Sequence, residues 1–258
     1  MNKKITPFLN LLLFAGVVTV NALANILPIN GYNTGQVSAF YPNFFVPAGF
    51  TFGIWGIIYF ILTGFVFISF FAGFGKFDAA AGEAVQKASP WFWLTCAINA
   101  GWVLVWHHLY LATSLLLMVA FLVVLIRVFL LLKPLKNKIP AFHRIWVYHA
   151  FVVYLAWISV ATIANTTALL VGLGWQGGIL LPQIWSVIMI CIAILLGIVM
   201  VGKRKEPAYG FVLSWAFYGI YSAQVAQARI VGITAAIGVC ILLALTITIL
   251  IRVPKQAA

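Results

Sequence analysis

FTFGIWGIIYFILTGFVFISFFAG, residues 50–73, runs for 24 positions without one charged side chain. About 20 apolar residues span the hydrocarbon core of a bilayer as a helix. The stretch lacks the alternation of period two that a membrane β-strand needs. It reads as a transmembrane helix, and the rest of the chain follows its pattern.

The 258 residues are 65% hydrophobic and 7% charged, with a mean hydropathy of +1.13. That leaves too few polar side chains to cover a water-soluble globule. Spanning lipid with the backbone fully hydrogen-bonded leaves helices or a closed barrel, and unbroken apolar runs favour helices. The expected fold is all-α, a polytopic transmembrane helical bundle.

Spans are expected at 6–27, 50–73, 90–107, 111–132, 145–172, 181–201, 208–226 and 230–251. The seventh carries the polar end YSAQVAQAR. Threaded from a cytoplasmic N-terminus, they put Lys3, Lys4, Lys76, Lys87, Lys133, Lys136, Lys138, Arg144, Lys203, Arg204, Lys205, Arg252 and Lys255 on one side. Arg229 falls opposite, and Arg127 lies near enough to a cytoplasmic end to snorkel. The net charge of +12 therefore reports topology under the positive-inside rule and does not call for nucleic acid. Both termini are expected in the cytoplasm, in a bacterial plasma membrane.

Lys3 and Lys4, the run LLLFAGVVTV and Ala22-Leu23-Ala24 imitate a secretory signal with an A-x-A cleavage site. The downstream topology fits a retained first helix. Cys96, Cys191 and Cys240 lie singly in separate spans, without metal-type spacing, and read as small packing residues.

The longest polar segment, GKFDAAAGEAVQKASP at 75–90, reads as a loop or short surface helix. GLGWQGG, at 172–178, interrupts the apolar pattern and divides a five-helix core, 1–172, from a three-helix extension, 173–258. No internal repeat relates the two, so an inverted-repeat transporter lacks support. The first external loop, PINGYNTGQVSAFYPNFFVPAG at 28–49, is uncharged and is either a lid over the bundle or a connector.

Three spans carry aromatic and amide residues at helical spacing: Phe52, Trp55 and Tyr59; Asn99, Trp102 and Trp106; Tyr154, Trp157, Ala161 and Asn165. Each set occupies one face. An amide facing lipid is poorly satisfied, so Asn99 and Asn165 should turn inward, to another helix or to a polar pocket. Gly49, Gly53 and Gly56 would admit a neighbouring helix or leave a groove for a flat ligand.

PAGFTFGIWGIIY at 47–59, INAGWVLVW at 98–106 and VYLAWISVATIAN at 153–165 resemble, in order, the second-, third- and fifth-helix signatures of the tryptophan-rich sensory protein and peripheral benzodiazepine receptor family, also called translocator protein. The resemblance covers about residues 1–172 and implies a five-helix bundle with an internal pocket near the first loop. It further implies binding of porphyrins and other tetrapyrroles, and in some members sterols or aromatic drugs. Carried over by residue, the pocket holds Trp55, Asn99, Trp102, Trp157, Ala161 and Asn165. Phe52, Tyr59 and Tyr154 come from the stripes alone.

Two departures narrow this. The family's paired prolines before the second helix are reduced to Pro47 and Ala48, and the sterol-recognition pattern is missing from NTTALLVGLGWQGG, which disfavours sterols. The three C-terminal spans exceed the usual family length.

Asp78, Glu83 and Glu206 are the only carboxylate side chains and are expected in cytoplasmic loops, which argues against acid-relay coupling. His107 and His108 at an outer turn, and His143 and His149 at the entry to the fifth span, read as interfacial or satisfied histidines rather than haem ligands. No nucleotide loop, zinc signature or nucleophile elbow occurs. The sequence thus suggests a protein that binds a tetrapyrrole or similar flat apolar ligand for sensing or transport, with porphyrin or haem as ligand and no required cofactor. A porphyrin-modifying enzyme and a facilitative transporter using all eight helices are the alternatives. Expected partners are the lipid bilayer and the small ligand; a homodimer is compatible with the sequence.

Overall fold

The computed structural model describes residues 2–75, 77–175 and 177–252, and these are helical nearly throughout. Lys76 and Lys255 of the expected cytoplasmic set lie outside them. In chain order the helices are α1 (Thr6–Ile26), α2 (Thr34–Ala39), α3 (Ile54–Phe74), α4 (Ala79–His107), α5 (Leu111–Leu132), α6 (Ala141–Arg144), α7 (Ala150–Gly172), α8 (Pro182–Ile198), α9 (Pro207–Gln224) and α10 (Arg229–Arg252).

Among the described residues, six segments are long and apolar enough to cross a membrane, at Thr6–Ile26, Gly49–Phe74, Leu111–Leu135, Ala141–Gly172, Pro182–Lys203 and Arg229–Arg252. The other two expected spans are helices, α4 and α9, but are less apolar. Their inward faces explain why. Asn99 and His107 of α4, and Tyr209, Ser214 and Gln224 of α9, are buried against protein rather than presented to lipid, where hydrogen-bonding residues are tolerated. The chain is thus an integral, multi-pass helical membrane protein.

Of residues 75–90, expected to form a loop or a short surface helix, 79–90 are the first turns of α4. Asp78 starts the helix by accepting the Ala81 N–H at 2.7 Å, and the alanine-rich turn that follows propagates it. Pro90 lies inside the helix. Lys87 reaches Glu83 at 2.6 Å on this exposed stretch, and that hydrogen bond and charge hold the Glu83 carboxyl below its ordinary range. Glu206, expected in a cytoplasmic loop, is fully buried just before Pro207 and α9.

Two compact units divide the chain: 1–34 with 55–155, and 35–54 with 156–258. In the first, α4 packs against both α1 and α5. Phe65 of α3 meets Phe92 of α4 at 5.0 Å and Phe151 of α7 at 5.1 Å, both edge to face. Gly64 lets α3 approach Trp146, because any Cβ there would overlap the indole.

In the second unit α9 and α10 form a hairpin, and α8 packs on α10. Residues 46–51 are fastened to α9 by three hydrogen bonds. Ala48 N–H donates to the Gly219 carbonyl at 3.0 Å, Trp215 Nε1 to the Thr51 carbonyl at 3.0 Å, and Gln224 Nε2 to the Val46 carbonyl at 3.1 Å. The α7 helix stops in a left-handed residue, Gly174, at φ +81°. The N–H groups of Gly174 and Trp175 close the helix end on Val171 and Leu170, which is why GLGWQGG breaks the apolar pattern.

Candidate functional site

Five of the expected site residues meet in the first unit. Trp55 is near-parallel to Tyr59 at 5.7 Å and to Trp102 at 6.4 Å, and meets Tyr154 edge-on at 5.9 Å. Trp102 continues the series to Trp106 at 5.8 Å. The i, i+4 spacings on α3 and α4 place these rings one above another. The near-parallel rings therefore form a ladder drawn from two helices.

Asn99 is completely buried beside this ladder. Its Nδ2 donates to Tyr154 Oη at 2.6 Å and Tyr59 Oη at 3.2 Å, while its Oδ1 accepts from Asn21 Nδ2 at 3.0 Å. The inward turn demanded by an intramembrane amide is therefore met by protein groups on three other helices. The indole of Trp102 differs. The residue is 6% exposed, and its Nε1 is buried with no hydrogen-bond partner among the described residues.

Sequence reasoning missed the contribution of α1. Asn21 completes the amide and phenol network, and Asn10 donates to Ser89 Oγ at 3.0 Å and accepts from Trp93 Nε1 at 2.6 Å. Applying to α1 the rule used for Asn99 would have found both.

The remaining expected residues belong to the second unit. Phe52 meets Trp157 edge-on at 6.2 Å. Phe52 lies in a 3-10 turn, Gly49–Gly53, before α3 begins, so it does not continue the helical face of Trp55 and Tyr59. Trp157 and Asn165 are buried and Ala161 is half-buried along α7. No described atom lies within 4 Å of a Cβ built on Gly49, Gly53 or Gly56, so these glycines are not close-contact points.

His107 and His108 serve local structure. His107 is fully buried, with Nδ1 donating to the Val103 carbonyl at 2.7 Å and Nε2 at 3.5 Å from Thr34 Oγ1. His108 is exposed, with Nδ1 at 2.8 Å from the Leu104 carbonyl. Among the described residues, no three histidine, cysteine or carboxylate side chains gather as a metal site.

Fold and composition define an integral, multi-pass membrane protein built of helices. The chain belongs to the TSPO-like protein family, whose model matches residues 7–249. The match extends well past the three sequence signatures to include α8, α9 and most of α10. Neither the curated proteins nor the solved structures contain a match to this chain.

Proposed function

We propose that this protein binds a tetrapyrrole or similar flat, conjugated ligand at the Trp55–Trp102 ladder, for sensing or transport across a bacterial plasma membrane. The observation that carries this reading is the pairing of near-parallel rings with a buried, unpartnered donor, Trp102 Nε1. Flat conjugated molecules stack on such surfaces, and a polar ligand edge would satisfy the indole N–H. Asn99 has a supporting part, because its amide is held by Tyr59, Tyr154 and Asn21. Trp157, Ala161 and Asn165 enter through the family resemblance. Both termini are cytoplasmic in this reading, which rests on the basic residues that share one side of the threaded chain.

The test is a protoporphyrin IX titration of purified protein in detergent, followed by tryptophan quenching corrected for porphyrin absorption. Wild type should saturate. Trp102→Phe and Trp55→Ala, with folding checked by thermal transition, should bind several-fold more weakly, while Trp91→Phe should match wild type. Non-saturable quenching, or equal affinities in all four proteins, would exclude the ladder as the binding surface.

A further inference from the structure

The second unit contains a cavity of about 320 Å³, walled by the loop at Pro42 and Phe44, the end of α7 at Thr167 and Val171, and Trp175 and Trp185. This volume lies in the range of small-molecule sites. None of the cavity's lining residues belongs to the aromatic stripes, and none is charged. Trp175 and Trp185 stand edge to face at 4.9 Å and 73°. The Gly174 helix stop positions the first, and α8 carries the second.

The polar groups around the cavity are nearly all committed elsewhere. Asn43 closes a turn, donating to the Tyr41 carbonyl at 2.8 Å and accepting from Phe45 N–H at 2.9 Å. The Thr167 hydroxyl donates to Ile163 at 2.9 Å, and that of Ser186 to Pro182 at 3.1 Å. Trp185 Nε1 is buried with no partner among the described residues. A buried N–H of this kind is a standing demand for an acceptor.

We infer that this cavity is a second ligand site, for a neutral, flat aromatic molecule carrying one hydrogen-bond acceptor. Trp185 Nε1 is closed off from the cavity, so the indole turns towards the ligand for its N–H to meet the acceptor, and the ring packs against Trp175 and Phe44. A charged ligand is disfavoured, because no lining side chain would compensate its charge. This inference is independent of tetrapyrrole binding at the ladder.

Benzophenone is a direct probe, since it combines aromatic rings with a carbonyl acceptor and, once photoexcited, inserts into C–H bonds it touches. Full-length protein in detergent is irradiated across a concentration series, and adducts are mapped by peptide mass spectrometry. Labelling of peptides carrying Phe44 and residues 167–186 should saturate. Trp185→Phe should lower it several-fold, and Val171→Trp, which fills the cavity, should remove it, with labelling of lipid-facing helices unchanged in both. Diphenylmethane, which has the same rings without the carbonyl, should compete weakly on wild type. Should either variant fail to fold, this comparison alone tests the acceptor. Labelling that rises linearly with concentration, equal labelling of Trp185→Phe and wild type at these peptides, or full competition by diphenylmethane would overturn the site.

Discussion

Trp215 Nε1 donates to the Thr51 carbonyl at 3.0 Å, joining residues 164 positions apart in the chain. With the Gln224 and Gly219 bonds, it makes α9 the support for the segment leading into α3. A neutral hydrogen bond contributes about 0.5–1.5 kcal/mol net. Trp215→Phe should therefore speed amide exchange at Ala48 and Thr51 by roughly 2- to 10-fold, and adding Gln224→Ala should speed it further. Hydrogen-exchange mass spectrometry reads this directly. Unchanged exchange in the double variant would mean that the segment is held by other contacts.

The same support depends on a missing side chain. A Cβ on Gly219 would overlap Oγ1 and crowd Cγ2 of Thr51. Gly219→Ala should destabilise the fold by about 1–3 kcal/mol, the usual range for overpacking. Thr51→Ala removes both atoms, and its Oγ1 has no partner among the described residues, so that change alone should cost less than most buried hydroxyl losses. The double variant should melt above Gly219→Ala alone. Strictly additive losses in a double-mutant cycle would rule out the steric account.

What the sequence revealed follows from the range of each rule. Hydropathy located the helices because the requirement of a spanning helix is local in sequence, and the intramembrane-amide rule turned Asn99 inward for the same kind of reason. Phe52 was placed on the Trp55 face by spacing, but spacing assumes a continuous α-helix and cannot register the 3-10 turn at Gly49–Gly53. The start of α4 was hidden because Glu83 and Lys87 lower hydropathy without lowering helix propensity, while Asp78 caps the helix from outside it. The amide rule would turn Asn21 inward, but its pairing with Asn99, like that of Trp215 with Thr51, left no local signal. Both pairings depend on which helices pack together, and a single sequence does not encode that legibly.

Asn99 and Tyr154 test how much the buried network contributes. Tyr154→Phe removes one hydroxyl and leaves the Asn99 amide bonded to Tyr59 and Asn21. Asn99→Ala takes the amide from Tyr59 and Tyr154 together, while Asn21 Nδ2 keeps its bond to the Val17 carbonyl at 2.9 Å. Interhelical hydrogen bonds in membranes average only about 0.6 kcal/mol, whereas each orphaned buried group costs about 1–3 kcal/mol. Thermal unfolding in detergent, followed by circular dichroism, should rank Asn99→Ala well below Tyr154→Phe and Tyr154→Phe slightly below wild type. Equal losses would mean that the phenol of Tyr154, rather than the amide, organises the cluster.

A chain ending at Gly172 would retain all three family signatures and lose α8, α9 and α10. It would also lose Trp215, Gly219 and Gln224, which hold residues 46–51, and Trp185, which lines the cavity beside Phe44. The apolar side chains that α9 and α10 bury against each other show the same dependence, since Leu213, Phe217, Ala235 and Leu242 are all inaccessible in the intact fold. The truncated protein should therefore aggregate, or elute as a broad mixture on size-exclusion chromatography in a detergent that keeps the full chain monodisperse. It should also bind protoporphyrin IX without saturation. A monodisperse 1–172 fragment with wild-type porphyrin affinity would establish the first five spans as an independent domain and reduce α8–α10 to an appendage.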